Sequence, residues 1–262
     1  MNYTANDADH HEYAFLLANG YLGAHIEQEH YFAHLSQPAG VWNYLRIANS
    51  IVRYLPRGQV LDWGCGYGQM TYLLRRRGLD VTSYDLGTPE TPMPDVPLCR
   101  QIQVIRSTHP TALPFADRSF DAVLSCGVLE HVDEHSQPGN EWRSLREIAR
   151  IVRPGGYFFI FQLPQRYAWQ EALLRKLRRG YTHPRRYTAA EITAMLHATG
   201  FRVAALRRAN MLPKNLTGVL PWVRGIYNSA GQKLLAADAA LCRLPLLNQL
   251  AGVLEVVAVR QK

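Results

Sequence analysis

Cysteine is scarce in this 262-residue chain, and the four cysteines that it has are widely spaced. They stand at Cys65, Cys99, Cys126 and Cys242, so no CxxC pair is present. This spacing argues against a disulfide framework and against a cysteine zinc site, and it is typical of a reducing compartment. We therefore expect a cytoplasmic protein.

Membrane-spanning and export signals are lacking as well. The longest apolar runs are interrupted by charge, proline or glycine well before the ~18 residues that a bilayer-spanning helix needs. The first residues, MNYTANDADHHEY, contain neither a basic stretch nor an apolar core. They are therefore not expected to act as a secretory signal.

Acidic residues are few in the second half of the chain. Residues 140–262 contain 20 basic and 6 acidic residues, whereas residues 1–139 contain 9 basic and 15 acidic ones. The net charge of +8 therefore hides a strongly basic C-terminal half. Such a half suits nucleic acid, an anionic membrane or an acidic substrate, and it also occurs as a solvated surface. Charge alone leaves these alternatives open.

The phosphate-binding patterns GxGxxG and GKS or GKT are missing here, although one glycine-rich loop is present. The stretch at 60–70 reads VLDWGCGYGQM, with Gly64, Gly66 and Gly68 alternating just after Asp62. Alternating glycines permit left-handed backbone and the close approach of a ligand. Because open α/β sheets bind ligands at the carboxyl ends of their strands, the loop predicts a nucleotide-like ligand that is held without a phosphate cradle.

Strands and helices alternate along most of the chain. The pattern predicts strands at 59–63, 80–84, 101–106, 120–126, 157–163, 201–206 and 255–260, with helices at 69–77, 141–152 and 189–198. This alternation is typical of an α/β fold with a mostly parallel, doubly wound sheet of about seven strands and helices on both faces. Residues 1–55 are expected to form an N-terminal helical lid. The main domain would follow at 56–262, with a helical insertion at about 209–253 before the last strand.

Four segments in register resemble the class I S-adenosylmethionine-dependent methyltransferases, in particular the ubiquinone/menaquinone-biosynthesis-like (methyltransferase type 11) family. They are the glycine loop, Asp85 seventeen residues after Gly68, LPFADRSFDAVLSCGVLEHV at 113–132, and IVRPGGYFFIFQLP at 151–164. A weaker match is HPRRYT at 183–188, followed by Gly200 and Phe201. The resemblance covers about residues 40–208 and implies a Rossmann-like fold.

The resemblance also implies S-adenosylmethionine as cofactor, with S-adenosylhomocysteine as product. Asp62 would lie near the amino group of the cofactor and Asp85 near its ribose. The other residues implied to bind it are Gly64, Cys65, Gly66, Gly68, Leu86, His109, Cys126 and Gly127. His109 enters because the acid that often precedes LPF in the family is absent, so this histidine or a backbone group would read the adenine.

Metal binding is not predicted. Some relatives bind a divalent metal through an ExxEH sequence, and this chain has Glu130 and His131. Gly127, however, stands where the first acid of that sequence would be, so a metal site would need ligands from elsewhere in the chain.

The reaction implied is an in-line methyl transfer, in which alignment of the reactants contributes more than a general base does. If the acceptor atom is a hydroxyl oxygen, His131 and His183 are the candidate bases, because imidazole titrates near neutral pH. Either could equally be a structural histidine. Tyr31, Phe32, Trp169 and Tyr187 are the residues expected in the lid or at the substrate.

The basic C-terminal half, residues 140–262, contains the sequence features that bear on the kind of acceptor. Residues 169–179 combine Trp169, Leu173 and Leu177 with four basic residues, which suits either an interfacial helix on an anionic membrane or a helical cap on the sheet. We expect a small-molecule or lipid-linked acceptor, and we favour oxygen as the atom that is methylated. RNA methylation and a non-catalytic partner are the alternatives. Nucleic acid is disfavoured because the fourth strand ends in LSCG rather than (D/N)PP(Y/F), and the sequence does not indicate an oligomeric state.

Overall fold

The computed structural model describes residues 5–26, 32, 34–133, 138–178, 180–214 and 229–262. Its strands are β1 (Gln59–Trp63), β2 (Asp80–Leu86), β3 (Val104–Ser107), β4 (Phe120–Cys126), β5 (Val152–Pro164), β6 (Phe201–Ala209) and β7 (Val253–Arg260). Its longer helices are α1 (Asp7–Ile26), α2 (Pro38–Tyr54), α3 (Gln69–Arg76), α4 (Asn140–Ile151), α5 (Trp169–Leu177), α6 (Ala189–Ala198) and α7 (Gly231–Leu241).

The strands form one seven-stranded sheet in the order β3-β2-β1-β4-β5-β7-β6. β1 to β5 are parallel to one another, and β7 runs antiparallel to both β5 and β6. The predicted mostly parallel α/β sheet is thereby confirmed. Because β7 is reversed, its first residues lie beside the last residues of β5 and β6, at the edge of the sheet where the glycine loop follows β1.

Side-chain alternation along the buried strands divides the core into two layers. Phe159 and Phe161 of β5 pack in one apolar cluster with α2 and α3, while Phe158 and Ile160 pack in the other with α4 and α6. Such period-two burial is expected of a strand that is covered on both faces. The sheet therefore has helices on both sides, as predicted.

The N-terminal region differs in part from the predicted lid. Ten residues of α2 are buried, including Leu45, Ile47 and Ile51, and they contribute to the core cluster on that face. α1 is fastened to this layer by Arg77 of the α3 C-terminus, which contacts Asp9 and Glu12 at 2.7 Å each. α2 is therefore a core helix.

The third strand begins later than predicted. Residues Cys99–Gln101 form a 3₁₀ turn, and β3 starts only at Val104. The backbone amide of Leu98 donates to Asn19 of α1 at 2.7 Å, and Leu98 itself is fully buried. This contact with a distant helix turns the chain before the strand can start. None of the described helices has both the length and the apolar character that crossing a bilayer requires.

Candidate functional site

The glycine loop leaves β1 and is fastened to β2. The backbone amides of Gly64 and Cys65 both donate to the carbonyl of Tyr84, at 2.8 and 3.0 Å. A Cβ on Gly64 would lie 2.6 Å from Val128, so this position needs glycine for packing. Gly66 has φ +53° and nothing within 4 Å of an added Cβ. The loop therefore presents bare backbone to open space at Gly66, and α3 begins directly after Gly68.

Asp85 lies above this loop at the end of β2. Its two carboxylate oxygens accept from the backbone amides of Gly66, at 2.9 Å, and Leu86, at 2.8 Å. Burial raises the pKa of Asp85, while these two amides act in the opposite direction. The side chain of Leu86 is about half exposed next to it. The predicted ribose acid and the predicted glycine loop are thus in direct contact.

Asp62 is buried under the same loop, with 2% of its surface exposed. Its carboxylate accepts from the Thr71 hydroxyl at 2.6 Å, and that hydroxyl lies 2.9 Å from the hydroxyl of Ser83. Burial raises the pKa of Asp62 to about 6, with a further contribution from the charge of Asp85 and an opposing one from Thr71. A cation beside this carboxylate would favour its ionised form.

His109 lies in the loop after β3 and is exposed. Its Nδ1 atom accepts from the backbone amides of Thr111, at 3.3 Å, and Ala112, at 2.9 Å. An imidazole that accepts at Nδ1 carries its proton on Nε2. The ring is therefore held by its own loop and can donate one hydrogen bond outward.

Cys126 and Gly127 follow at the end of β4. The Gly127 amide donates to the carbonyl of Phe161 at 3.0 Å, which joins this turn to β5. Burial raises the pKa of the Cys126 thiol far above its usual value, and the charges of Asp62, Glu130 and Glu255 add to the effect. Cys126 is therefore a neutral thiol and not a nucleophile.

Tyr44 of α2 is a member of this site that the sequence analysis missed. Its hydroxyl is hydrogen-bonded to the side chain of Gln69, and Cys126 and Asp62 lie close enough for their charges to affect it. Burial raises the pKa of Tyr44, so it is a neutral phenol. No motif marks this residue, because only the packing of α2 on the sheet brings it to the loop.

The two candidate bases lie together beyond the end of β4. The rings of His131 and His183 are 5.6 Å apart between centroids, and Tyr181 lies 5.0 Å from His183. His183 Nδ1 is 2.5 Å from a carboxylate oxygen of Glu171 in α5. The sequence analysis missed Glu171, because the apolar and basic residues of its helix predict a membrane-facing or capping helix and give no sign of a catalytic carboxylate.

A carboxylate completes this histidine group. One ligand atom from each of Glu130, His131 and His183 lies within 4.8 Å of the others, a spacing that a divalent cation could bridge. The prediction of no metal rested on Gly127, and the structure shows that His183 comes close to Glu130 and His131 from another part of the chain.

The expected lid and substrate residues have different environments. Phe32 is 1% exposed and stacks on Tyr67 of the glycine loop, with ring centroids 4.5 Å apart. Trp169 is partly exposed and donates through Nε1 to the carbonyl of Met211 at 2.9 Å. Tyr31 lies outside the described residues.

Tyr187 was wrongly expected to face substrate. It is fully buried, and its hydroxyl is 3.0 Å from Glu141 and 3.3 Å from the carbonyl of Leu129. The guanidinium of Arg185 lies 4.2 Å from the centre of its ring. Tyr187 therefore supports the turn that carries His131 and does not line an open surface.

Comparison with known proteins was made at the level of sequence and of fold. A family described as methyltransferase domain matches residues 27–206. The chain is 29% identical to a ubiquinone biosynthesis O-methyltransferase of Aeromonas salmonicida over 166 residues, 59% of this chain and 67% of that protein. It is 30% identical to a demethylmenaquinone methyltransferase of Renibacterium salmoninarum over 143 residues, 50% of this chain and 55% of that protein.

A further relative is a probable tRNA methyltransferase 9B of Bos taurus, 26% identical over 151 residues. That match covers 54% of this chain and 30% of the bovine protein. This chain thus spans about two thirds, a half and a third of the lengths of these three relatives.

Among solved structures, the fold is similar to the Burkholderia thailandensis 1,6-didemethyltoxoflavin-N1-methyltransferase, determined with 1,6-didemethyltoxoflavin and S-adenosylhomocysteine bound. The TM-score is 0.53 at 21% identity, covering 99% of this chain and 93% of that one. At this identity the likeness concerns the fold.

Proposed function

Because this chain belongs to the methyltransferase domain family and is an S-adenosylmethionine-dependent methyltransferase, we propose that it methylates an oxygen atom of a small-molecule or lipid-like acceptor. The Aeromonas and Renibacterium relatives, with their names of ubiquinone O-methyltransferase and demethylmenaquinone methyltransferase, support an acceptor of this kind. The observation that carries the proposal is the contact between His183 and Glu171, next to His131.

The residues around the glycine loop fit S-adenosylmethionine. When bound, it supplies an electrophilic methyl group on a sulfonium centre. Bare backbone at Gly66 leaves room for a ligand, and each Asp85 oxygen keeps a lone pair for a ribose hydroxyl besides the amide that it already accepts. Asp62 suits the amino group of the cofactor, because a cation beside this buried carboxylate would stabilise its ionised form. Leu86 and the outward Nε2–H of His109 suit the adenine.

The acceptor hydroxyl has to lose a proton when the methyl group is transferred. Since Nδ1 of His183 lies against the Glu171 carboxylate, the proton of the neutral ring is on Nδ1, and the lone pair of Nε2 can accept the acceptor's proton. Glu171 is thus a positioning residue that orients the base. A general base contributes ~10²–10⁴-fold, which is less than alignment can supply.

An amphiphilic acceptor is supported by the surface beside these histidines. No residue of α5 is buried, and its Leu173 and Leu177 are 43% and 52% exposed. Leu246, just before the 3₁₀ turn Leu247–Leu250, is 85% exposed. Arg175 and Lys176 stand in α5, and Arg243 stands three residues before Leu246. Exposed leucines beside basic residues are typical of a protein that docks on an anionic membrane. We include peripheral membrane contact in the proposal.

RNA is the second candidate, because of the basic half and the bovine relative. The large basic cavity, about 400 Å³, is lined by Arg118, Arg146, Arg150 and Arg260. It lies at the start of β4 and the end of β7, the opposite edge of the sheet from the glycine loop. RNA anchored there would be held away from the glycine loop, whereas the base to be methylated must enter the catalytic pocket itself.

Methyl transfer from isotopically labelled S-adenosylmethionine tests the proposal. The acceptors are a catechol with an isoprenoid chain in detergent micelles and, separately, bulk tRNA, each with and without EDTA. We expect an O-methylated catechol, and His183→Gln should lower kcat by ~10²–10⁴-fold. The affinity for S-adenosylhomocysteine, measured by calorimetry, should stay unchanged.

Glu171→Gln should shift the pH profile of kcat as well as lower kcat. His197→Gln, at an exposed histidine of α6, is the matched control and should leave the rate unchanged. Label transfer to tRNA alone would contradict the acceptor assignment. An unimpaired His183→Gln enzyme would contradict the assignment of the base.

A further inference from the structure

An arginine-lined cavity lies between α2, the end of β6 and α7. Its volume is about 190 Å³, and its walls include Arg46, Arg207, Arg208, Arg243 and Asp238. Since a cavity of only ~10–15 Å³ can hold a single water, this one has room for a small anion. We propose that this cavity binds a phosphate-bearing group of the methyl acceptor, an inference that rests on the proposed function.

The charge balance of the cavity favours an anion. Both carboxylates near it are already matched: Asp238 with Lys214 at 3.2 Å, and Glu255 with Arg46 and Arg207. Asp238 also accepts from the backbone amides of Asn210 and Leu212. Counting Arg46, Arg207, Arg208 and Lys214 against these two carboxylates leaves a formal excess of two positive charges.

Glu255 holds the two arginines in place. It is 4% exposed, with Arg207 Nε at 2.5 Å from one oxygen and Arg46 bound to both oxygens. Although burial raises it, the charges of Arg46 and Arg207 bring the pKa of Glu255 down to about 2. The carboxylate stays ionised at neutral pH and fixes both side chains, which lowers the entropy cost of binding an anion.

Arg207 retains unused donors. Its Nε atom contacts Glu255, while the two terminal nitrogens have no hydrogen-bond partner among the residues that the structure describes. The side chain is 49% exposed. A guanidinium with its two terminal nitrogens available matches the oxygens of a phosphate in a paired geometry.

The cavity lies on the acceptor side of the site. Ala209 of β6 pairs with Val253 of β7, which also pairs with Pro164 at the end of β5, so the cavity is at the same edge of the sheet as Cys126. The Cys126 thiol is near enough to Glu255 and Arg46 for their charges to affect its pKa. The cofactor residue Asp85 lies on β2, which is five strands from β6 in the sheet order, whereas β5 is two strands from β6. The cavity, at the end of β6, is therefore far from Asp85. A phosphate here would anchor the acceptor without touching the adenosine.

Calorimetry with inorganic pyrophosphate tests the site directly. We expect binding that weakens with salt, a loss of at least tenfold in Arg207→Gln and in Arg243→Gln, and partial rescue in Arg207→Lys. Arg243→Gln leaves the contacts of Glu255 intact, so it keeps the test valid if Arg207→Gln is unstable. Arg202→Gln, an exposed arginine of the same strand, is the control and should bind as the unchanged protein does.

Two additional arms separate the outcomes. S-adenosylhomocysteine affinity should be the same in all these variants, so loss of both ligands together would overturn the separate site. Vesicles of phosphatidylcholine with phosphatidic acid, against phosphatidylcholine alone, distinguish a lipid phosphate from a soluble one. The inference would be overturned if the protein does not bind pyrophosphate, or if Arg202→Gln loses as much pyrophosphate affinity as Arg207→Gln does, even if methyl transfer is found. Binding without methyl transfer would instead count against the proposed function.

Discussion

Asp62 is nearly enclosed by protein, and its carboxyl group has a pKa of about 6 before any ligand binds. At pH 5 most molecules therefore carry a neutral Asp62, and at pH 7 most carry the ionised form. The cationic amino group of the cofactor should require the ionised form, whose fraction falls about tenfold from pH 7 to pH 5 for a pKa of about 6. The affinity for the ligand should therefore be about tenfold weaker at pH 5 than at pH 7. Calorimetric titration with S-adenosylhomocysteine at both values measures this.

Asp62→Asn separates this effect from the titration of neighbouring groups, Asp85 among them. The variant should bind more weakly at pH 7 and should lose most of the pH dependence. The sign is fixed by the raised pKa, since protonation on acidification removes the charge that the ligand needs. Equal affinity of the unchanged protein at the two pH values would refute the role of Asp62.

Single residues show what the sequence could predict and what it could not. Asp62, Asp85 and Gly66 were predicted as a group. Asp85 contacts Gly66, and Asp62 lies near enough for the charge of Asp85 to affect its pKa, because a short motif fixes the path of a strand, a turn and the next strand. Tyr187 was also chosen from a motif, yet it is buried. Tyr44 and Glu171 were missed. In all three cases the direction of a side chain depends on helix packing, which a local pattern does not encode.

At the scale of elements, one buried carboxylate joins three of them. Glu255 of β7 binds Arg46 of α2 and Arg207 of β6. Glu255→Gln would leave two guanidinium groups without a counter-charge, and removing one partner of a buried pair costs ~3–5 kcal/mol. We expect the free energy of unfolding, measured with urea at pH 7, to fall by about this amount. Asp95→Asn, which breaks an exposed ion pair with Arg100, is the control and should leave the free energy of unfolding nearly unchanged.

The pH dependence of this pair has a definite sign. The pKa of Glu255 in the folded chain, about 2, is below its unfolded value of ~4.3. Its contribution to stability is therefore present above pH ~4.3 and is lost as the pH falls toward 2. The stability difference between the unchanged protein and Glu255→Gln should shrink over that window, and a difference that stays constant there would contradict this account.

Elements with strong local signals were predicted closely. β4 and α6 have the predicted bounds, because each has a regular apolar pattern and a clear end. α6 begins with a capping box in which Thr188 and Glu191 bond each other's backbone. β3 was misplaced because its start depends on Leu98 and the distant Asn19. Boundaries set by contacts between distant parts of the chain are not visible in a local pattern.

At the scale of the whole molecule, the exposed leucines of α5 and of the segment around Leu246 lie at the edge of the sheet that carries the site. α5 follows β5, and the segment around Leu246 precedes β7, so both project from the edge where the acceptor would enter. Because β5 pairs with β7, α5 and the segment around Leu246 leave the sheet from neighbouring strands although they are far apart in sequence. A molecule docked by this edge would face its histidines toward the lipid.

Sedimentation with vesicles tests this orientation. The protein should bind phosphatidylglycerol-containing vesicles and bind pure phosphatidylcholine weakly, since basic residues near an anionic surface contribute ~1 kcal/mol each. Replacing Leu246 and Leu247 together by Gln should weaken binding by at least tenfold, because inserting a leucine side chain contributes roughly 1.5–3 kcal/mol at full burial. The control is Ile105→Gln, an apolar residue that is 44% exposed on the edge strand β3, at the other end of the strand order. If Ile105→Gln weakens binding as much as the double variant does, attraction is general and the docking edge is wrong. If both bind as the unchanged protein does, the basic charge alone holds the protein to the vesicle, and the lipid-facing orientation of the site is refuted.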